Sequence, residues 1–278
     1  MTGQLSPLAQ GKAAGTTGYT SKLLKTGQTT QYDSELDDGY YEAGVAKSYT
    51  INTTGAQSGT TNVDIANLIS TTGAFTAADK KYTDTGKCGI LAYSGYNPDT
   101  WVISGSASNN GVFTSTVSDA NSITFAQTIV NEDSDQEITF SRRAAISNNT
   151  VLDNNTGLEW LRYPAPARTG YRGTGSMEWS GTLYDIFAFC AACNTASVGG
   201  YNDWRVPNAS ELFSLLDTSG ATWLDSTAFP TVPQYTWTSS TYRGATTKAL
   251  LMQYDSRVFG NFTKTERYKC MLVRGGTA

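Results

Sequence analysis

The stretch Gly200-Tyr-Asn-Asp-Trp-Arg-Val-Pro-Asn-Ala-Ser-Glu211 decides how the second half of this chain folds. Asn208 and Glu211 have the spacing of a capping box, in which each side chain binds the backbone N–H of the other, so a helix should start here. Trp204 offers a large apolar area and one N–H. Arg205 beside it is expected to brace the loop through bonds to carboxylate or carbonyl oxygens. The stretch therefore predicts a fixed loop that leads into a helix.

Further elements are predicted on both sides of this stretch. Residues 148–160 indicate a strand, an Asx-type turn at Asp153 and a second strand ending at Trp160. Apolar residues recur at helical spacing from Trp179 to Asn194, which predicts one amphipathic helix. Four strands are predicted near the end of the chain, at 235–240, 249–254, 257–262 and 268–274.

Residues 1–145 divide into two predicted parts. Residues 1–50 carry Gly, Thr and Gln without helical periodicity, and they form either a flexible tail or an extended arm that docks on a neighbouring subunit. Residues 51–145 are predicted to form a small β module, in which Asn109-Asn110-Gly111 indicates a hairpin because Asn and Gly accept positive φ. Its predicted strands are 101–104, 112–114, 122–125 and 137–140. Residues 146–278 form the third predicted part.

The charge and hydropathy of the chain exclude several classes of partner. The 278 residues include 20 Lys and Arg against 24 Asp and Glu, a net charge of −4, so no nucleic acid is expected as a partner. No apolar run is long enough to predict membrane insertion. The first 15 residues lack the pattern of a signal peptide, and we expect a protein made in the cytoplasm of a host cell.

The chain contains no histidine. This excludes Ser-His-Asp and Cys-His nucleophile systems and nearly all zinc hydrolases. The acidic loop 131–137 lacks the glycine and the terminal glutamate of an EF-hand loop. We therefore expect no enzyme activity, no cofactor and no metal site, and a carboxylate-based hydrolase is the remaining catalytic alternative.

The four cysteines are Cys88, Cys190, Cys193 and Cys270. The CxxC spacing of Cys190 and Cys193 is compatible with a metal site, a redox site or coincidence. A four-thiolate zinc site would need a second CxxC, which the sequence lacks. A structural pair of Cys190 with Cys270, or contact between two apolar thiols, is the favoured interpretation.

Several motifs together resemble the Lcl C-terminal domain family, which occurs in bacterial surface proteins and in phage structural proteins. The motifs that carry the resemblance are Thr156-Gly-Leu-Glu-Trp160, Gly200-Tyr-Asn-Asp-Trp-Arg-Val-Pro-Asn208, Tyr235-Thr-Trp-Thr-Ser-Ser240 and Cys270-Met-Leu-Val-Arg-Gly-Gly276. The resemblance implies a C-type-lectin-like fold, with two helices on a small twisted antiparallel sheet. The whole chain is accordingly expected to be α+β, with this domain following the all-β module and the extended N-terminal arm.

The resemblance also assigns structural residues. It implies that Cys190 and Cys270 occupy paired positions and join the first helix to the last strand. Trp160, Trp204 and Trp237 are expected in the core because each buries a large area. Calcium-dependent sugar-binding lectins carry a carboxylate or amide before the Pro of their loop. Val206 holds that position here, so the resemblance implies no calcium-dependent sugar site.

The expected function is that of a non-enzymatic phage virion structural protein, associated with the tail or a fibre, which displays this domain for binding to a host surface. Residues 105–124 support a virion, because they resemble a small β module of phage tail proteins. The alternatives are a capsid decoration or inter-subunit cement protein, and a bacterial surface adhesin. The expected partners are other virion subunits, bound through the N-terminal arm, and a host cell-surface glycan or protein. A homo-oligomer is expected, with a trimer as the guess.

Binding residues are expected at strand ends and turns, where contacts are usually placed. Aromatic and arginine side chains there supply most of the binding energy of an interface. The candidate ligand contacts are Tyr242, Arg243, Tyr254, Asp255, Arg257, Glu266, Arg267 and Tyr268.

Overall fold

A computed structural model describes residues 45–88, 100–133, 136–163, 177–180, 185–217, 224–231, 233–256 and 258–275. Two α-helices are present among them, α1 (Ile186–Thr195) and α2 (Ala209–Ser214). In chain order the strands are β1 (Tyr49–Asn52), β2 (Thr60–Ser70), β3 (Ala74–Thr76), β4 (Lys81–Thr83), β5 (Thr100–Ser104), β6 (Gly111–Ser118), β7 (Ser122–Phe125), β8 (Ile138–Ser147), β9 (Thr150–Asp153), β10 (Leu158–Leu161), β11 (Tyr235–Thr241), β12 (Lys248–Gln253), β13 (Val258–Thr263) and β14 (Val273–Gly275).

Seven strands between residues 60 and 147 form one antiparallel sheet in the order β2-β8-β5-β6-β7-β4-β3. Side chains on β8 alternate between buried and partly exposed, as expected for a strand with one face on a core. That core contains Tyr82, Trp101, Phe125 and Phe140 among its largest side chains. The four strands predicted in this region are confirmed, and three of them are longer than predicted.

The hairpin predicted at Asn109-Asn110-Gly111 is confirmed, although its turn is not the expected two-residue type. Ile103 pairs with Gly111, so the connection runs through residues 104–110. The Asn109 side chain is buried and donates to the carbonyl of Val130 at 3.0 Å. The loop is therefore longer because Asn109 anchors it to a neighbouring segment instead of occupying a tight turn.

The four-stranded sheet joins distant parts of the chain in the order β1-β9-β10-β14. The edge strand β1 pairs antiparallel with β9, from Tyr49 opposite Asp153 to Asn52 opposite Thr150. The seven-stranded sheet lies between these two strands in sequence. Residues 45–50 of the predicted N-terminal arm therefore lie against the C-terminal sheet, while residues 1–44 lie outside the described residues.

The three-stranded sheet β11-β12-β13 lies between two hydrophobic cores. Trp237 and Leu251 enter a core shared with α1, whereas Met252 enters a core shared with α2. Because neighbouring residues of a strand point to opposite faces, Leu251 and Met252 bury both sides of the sheet. The first of these cores also includes Val63 of β2, so α1 packs against the seven-stranded sheet as well.

The expected α+β class, with a C-type-lectin-like layout of two helices on a small sheet, is wrong. Among the described residues, strand residues far outnumber helical ones and are arranged in three sheets, and α1 and α2 have only 10 and 6 residues. Helices of this length cover little of a sheet, so sheet faces and loops form most of the cores. No helix among the described residues is both long and apolar enough to cross a membrane.

The helix predicted from Trp179 to Asn194 begins later than expected, at Ile186. Asp185 caps it, because one carboxylate oxygen accepts from the backbone N–H of Phe187 at 2.9 Å and of Ala188 at 2.8 Å. Trp179 lies outside the helix. Its helical spacing from the apolar residues of α1 was therefore misleading.

The local signals around residues 153 and 208 are confirmed. Asp153 accepts from the backbone N–H of Asn155 at 2.9 Å and from the hydroxyl of Thr156 at 2.8 Å, which forms the turn between β9 and β10. Asn208 and Glu211 form the complete capping box, with bonds of 3.0 and 2.8 Å. Both motifs depend on residues within three positions of each other.

Candidate ligand-contact site

The pairing of β11, β12 and β13 divides the predicted ligand contacts between two ends of the three-stranded sheet. At one end Lys248 lies opposite Thr263, and at the other end Gln253 lies opposite Val258. The loop 241–248 and the turn 263–266 therefore meet at the first end, which we call the tip. The turn that contains Asp255 lies at the opposite end.

The loop 241–248 at the tip is held by its own backbone. The N–H of Tyr242 donates to the carbonyl of Lys248 at 2.9 Å, and the N–H of Lys248 donates to the carbonyl of Ala245 at 2.9 Å. A Cβ atom placed on Gly244 would lie 2.6 Å from the ring of Tyr242, so this ring lies over Gly244. Arg243 is exposed beside it. The loop thus presents an aromatic ring in a fixed position next to an exposed guanidinium group.

Trp179 connects the tip to α1. Its backbone N–H donates to the carbonyl of Lys264 at 2.8 Å, and its indole N–H donates to the carbonyl of Thr238 at 2.6 Å. The Lys264 ammonium lies 3.9 Å from the centroid of the Trp179 ring and donates to the hydroxyl of Thr241 at 3.0 Å. Phe187, which is 39% exposed, packs edge-on against Trp179 with 4.9 Å between ring centroids.

The tip carries positive charge that the domain does not neutralise. Arg243, Lys248 and Lys264 have no carboxylate within salt-bridge distance among the described residues. Lys248 donates instead to the side-chain oxygen of Asn261 at 3.3 Å. Elsewhere in this part of the chain, Arg205, Arg267 and Arg274 are each paired with an acid. The tip therefore combines accessible cations with aromatic rings on a rigid support.

The part of the chain that contains this tip matches a known protein family. Residues 149–274 match the family model of the Lcl C-terminal domain. The recognition of this domain from its motifs is confirmed for that region. No curated protein and no solved structure matches the chain.

The match to the Lcl C-terminal domain does not include one strand of the four-stranded sheet. The match begins at Asn149 and so excludes β1, although β1 completes the sheet that contains β9. Asn155 secures the added strand, because its side chain accepts from the backbone N–H of Ser48 at 2.9 Å and donates to the carbonyl of Ala46 at 3.0 Å. The structural unit is thus larger than the family match.

Two predicted ligand contacts, Tyr254 and Tyr268, are wrong because both side chains are buried, each only 1% exposed. Tyr254 packs near Met271, and burial raises the pKa of its hydroxyl. Tyr268 packs against Trp237 and Phe262, with 5.1 Å between ring centroids in each case. Both tyrosines are core residues of the Lcl C-terminal domain, so neither reaches a ligand at the surface.

Glu266 and Arg267 lie beside the tip but are engaged in internal bonds. Glu266 accepts from the hydroxyl of Tyr268 at 2.8 Å and from the backbone N–H of Thr263 at 3.2 Å. Arg267 donates to a carboxylate oxygen of Glu178 at 3.1 and 3.0 Å. These two side chains are suited to positioning the turn 263–266.

The remaining predicted contacts do not lie at the tip. Asp255 is exposed at the opposite end, where the amide of Gln234 donates to it at 2.8 Å and lowers the pKa of its carboxyl. Arg257 lies outside the described residues. Only Tyr242 and Arg243 of the predicted set are therefore accessible tip residues. Trp179, Lys248 and Lys264 were missed, because their proximity depends on strand pairing.

The residues assigned to structure lie where the sequence analysis placed them. Trp160, Trp204 and Trp237 are at most 3% exposed. Arg205 donates to both carboxylate oxygens of Glu211 at 2.7 and 2.5 Å, which braces the loop before α2. This ion pair also fixes the glutamate that completes the capping box.

Of the two interpretations of Cys190 and Cys270, a structural pair or apolar thiols, the structure agrees with thiols, because all four cysteines are free and buried. Cys190 donates to the carbonyl of Trp204 at 3.1 Å, and burial raises its pKa to about 11. Cys270 and Cys193 lie in the same core. Burial in an apolar core keeps these groups as neutral thiols. Among the described residues no cluster of His, Cys, Asp or Glu is arranged to hold a metal ion.

Proposed function

We propose that this protein is a non-enzymatic phage virion structural protein, associated with the tail or a fibre, whose Lcl C-terminal domain binds a host surface through the tip. The single observation that carries the proposal is the convergence of Tyr242, Arg243, Lys264 and Trp179 at one end of a rigid sheet. Aromatic and arginine side chains dominate the energy of binding interfaces, and cations that no carboxylate neutralises are available to a charged ligand.

The proposal that the protein has no enzymatic activity is supported by the state of its carboxylates. Glu159, Glu178 and Glu211 each form a salt bridge with an arginine. A carboxylate held by a guanidinium group is already engaged within the protein and is not free to contact a substrate. The absence of histidine from the sequence removes the most common alternative group for proton transfer.

The partners follow from the same proposal. The tip would bind a host cell-surface glycan or protein, and the segment before β1 would bind other virion subunits in a homo-oligomer. The net charge of −4 supports a partner other than nucleic acid. The proposed location is the virion, with a bacterial cell surface as the alternative.

This function is tested by measuring the binding of the fluorescently labelled full chain to host cells and to phage particles. We expect the protein to label host cells, and to do so equally after deletion of residues 1–44. Binding only to phage particles, and only with residues 1–44 present, would instead support a decoration or cement protein. Degradation of a surface polysaccharide by the purified chain would contradict a non-enzymatic role.

A further inference from the structure

A second exposed aromatic surface lies away from the tip, on α2 and β13. The rings of Phe213 and Phe259 are stacked, with 6.3 Å between their centroids and an interplanar angle of 30°. Phe213 is 55% exposed, which is the highest exposure among the large hydrophobic side chains of the described residues. Phe259 is partly buried against the core beneath α2. We call these two residues the aromatic patch. Exposed apolar surface of this kind commonly marks an interaction site.

The described chain begins close to this patch. The Lys47 ammonium donates to the carbonyl oxygen of Leu216, three residues after Phe213. Tyr49 then packs edge-on against Phe229, with 5.8 Å between ring centroids. The chain before Val45 therefore enters beside the end of α2 that carries Phe213. The 44 residues that precede Val45 lie outside the described residues and start from this place.

The electrostatics at this entry point are negative. Asp153, Asp217 and Asp225 all act on the Lys47 ammonium and on the Tyr49 hydroxyl. Among the described residues, Asp153 and Asp225 alone outnumber the one lysine, which favours a positively charged partner at short range. A segment that binds here should therefore combine apolar side chains with positive charge.

The preceding part of the sequence contains such a segment. Residues 1–32 include three lysines, Lys12, Lys22 and Lys25, and no acidic residue. Residues 22–25 read Lys-Leu-Leu-Lys, which places two large apolar side chains between two cations. Leu23 and Leu24 match the apolar character of the aromatic patch, and the flanking lysines match the charge beside it.

We propose that the aromatic patch is the docking site for residues 22–25 of the same chain. In this arrangement Leu23 and Leu24 cover the rings of Phe213 and Phe259, while the flanking lysines face the side that carries Asp225. Residues 26–44 connect the segment to Val45, and an extended chain of that length reaches roughly 60 Å. A tether of this kind gives a millimolar effective concentration, which favours the segment of the same chain over that of a second copy.

Limited trypsin digestion of the full chain tests the docking, because trypsin cleaves after lysine and Lys12 is a control within the same segment. We expect cleavage after Lys22 and Lys25 to be at least about tenfold slower than after Lys12, since cleavage follows the undocked population. Phe213→Ser should raise the rates at Lys22 and Lys25 to the rate at Lys12. Leu23→Ser with Leu24→Ser should do the same from the other side, which controls for misfolding caused by the change on α2.

Three results would overturn this proposal. One is equal cleavage after all three lysines in the unaltered chain. Another is slow cleavage at Lys22 and Lys25 that both sets of substitutions leave unchanged. The third is protection that grows with protein concentration, because this would assign the patch to a second copy of the chain. Protection that is independent of concentration supports docking within one chain.

Discussion

The Lys264 ammonium lies 3.9 Å from the centroid of the Trp179 ring, and the carbonyl of Lys264 accepts from the backbone N–H of Trp179 at 2.8 Å. These two contacts join the turn after β13 to the segment before α1. The Trp179 indole N–H also donates to the carbonyl of Thr238 on β11. One tryptophan therefore connects three separate segments and fixes the tip. The side chains of the tip should accordingly lose little conformational entropy when a ligand binds.

Replacement of Lys264 should loosen the tip. Lys264→Gln removes the cation over Trp179 and should lower the free energy of unfolding by about 0.5–1 kcal/mol, the usual contribution of such a pair at an exposed site. Chemical denaturation followed by tryptophan fluorescence measures this change. Lys248→Gln is the matched control, because among the described residues the Lys248 ammonium bonds to Asn261 alone, and its loss should change stability by less than about 0.5 kcal/mol. Equal effects of the two substitutions would contradict the role of the Lys264–Trp179 contact.

Lys47 should make stability depend on pH. Burial lowers its pKa to about 8, against the opposing effect of three nearby aspartates. The unfolded chain, with an ordinary lysine pKa, then holds more protons than the folded chain above pH 8, so the free energy of unfolding rises with pH in this range. We expect a gain on the order of 1 kcal/mol between pH 8 and about 9.5, relative to Lys47→Met, because solvent screens a group that is partly exposed. Parallel pH profiles for the two proteins would contradict this prediction.

Deletion of β1 should destabilise the Lcl C-terminal domain, although β1 lies outside the family match. Removal of residues 1–57 takes away the ladder with β9 and the Tyr49–Phe229 contact, and should cost about 3 kcal/mol or more. Removal of residues 1–44 spares β1 and is the comparison; it should cost about 1.5 kcal/mol, the stability lost with a segment whose docked form outweighs the undocked form about tenfold. Thermal unfolding compares the two proteins. Similar melting temperatures would show that β1 is dispensable.

The sequence predicted those features that depend on neighbouring residues. The capping box of Asn208 and Glu211 and the turn at Asp153 were found, because their bonds span two or three positions. The start of α1 could also have been found, since Asp185 is a favoured N-cap residue placed before an apolar run. The error came from Trp179, whose spacing matched the helix by coincidence.

Contacts between distant residues were not predictable from spacing. Thr50 bonds to Asn154 across 104 residues, and no local signal assigns β1 to the edge of β9. Tyr254 and Tyr268 lie next to turns in the sequence, where exposure was expected. Their rings are instead buried in two different cores that enclose the sheet, which depends on strand register and packing.

Glu211 should contribute more than an ordinary surface acid. Its carboxylate accepts from the backbone N–H of Asn208 at 2.8 Å and from both ends of the Arg205 guanidinium group. Glu211→Ala should therefore lower the free energy of unfolding by about 2 kcal/mol, through loss of the cap and of the ion pair. A double-mutant cycle with Arg205→Met separates the two contributions. A coupling energy near zero would show that Arg205 and Glu211 act independently.

The central claim, that the tip is the contact surface, is tested most directly by the dissociation constant of the full chain for host cells. Tyr242→Ser combined with Arg243→Ser should weaken binding by about tenfold or more, because both side chains are accessible at the tip. Asp255→Ser combined with Ser256→Gly changes the opposite end of the same sheet and should leave binding unchanged. Unaltered affinity of the tip variant, or a loss confined to the variant at the opposite end, would contradict the account.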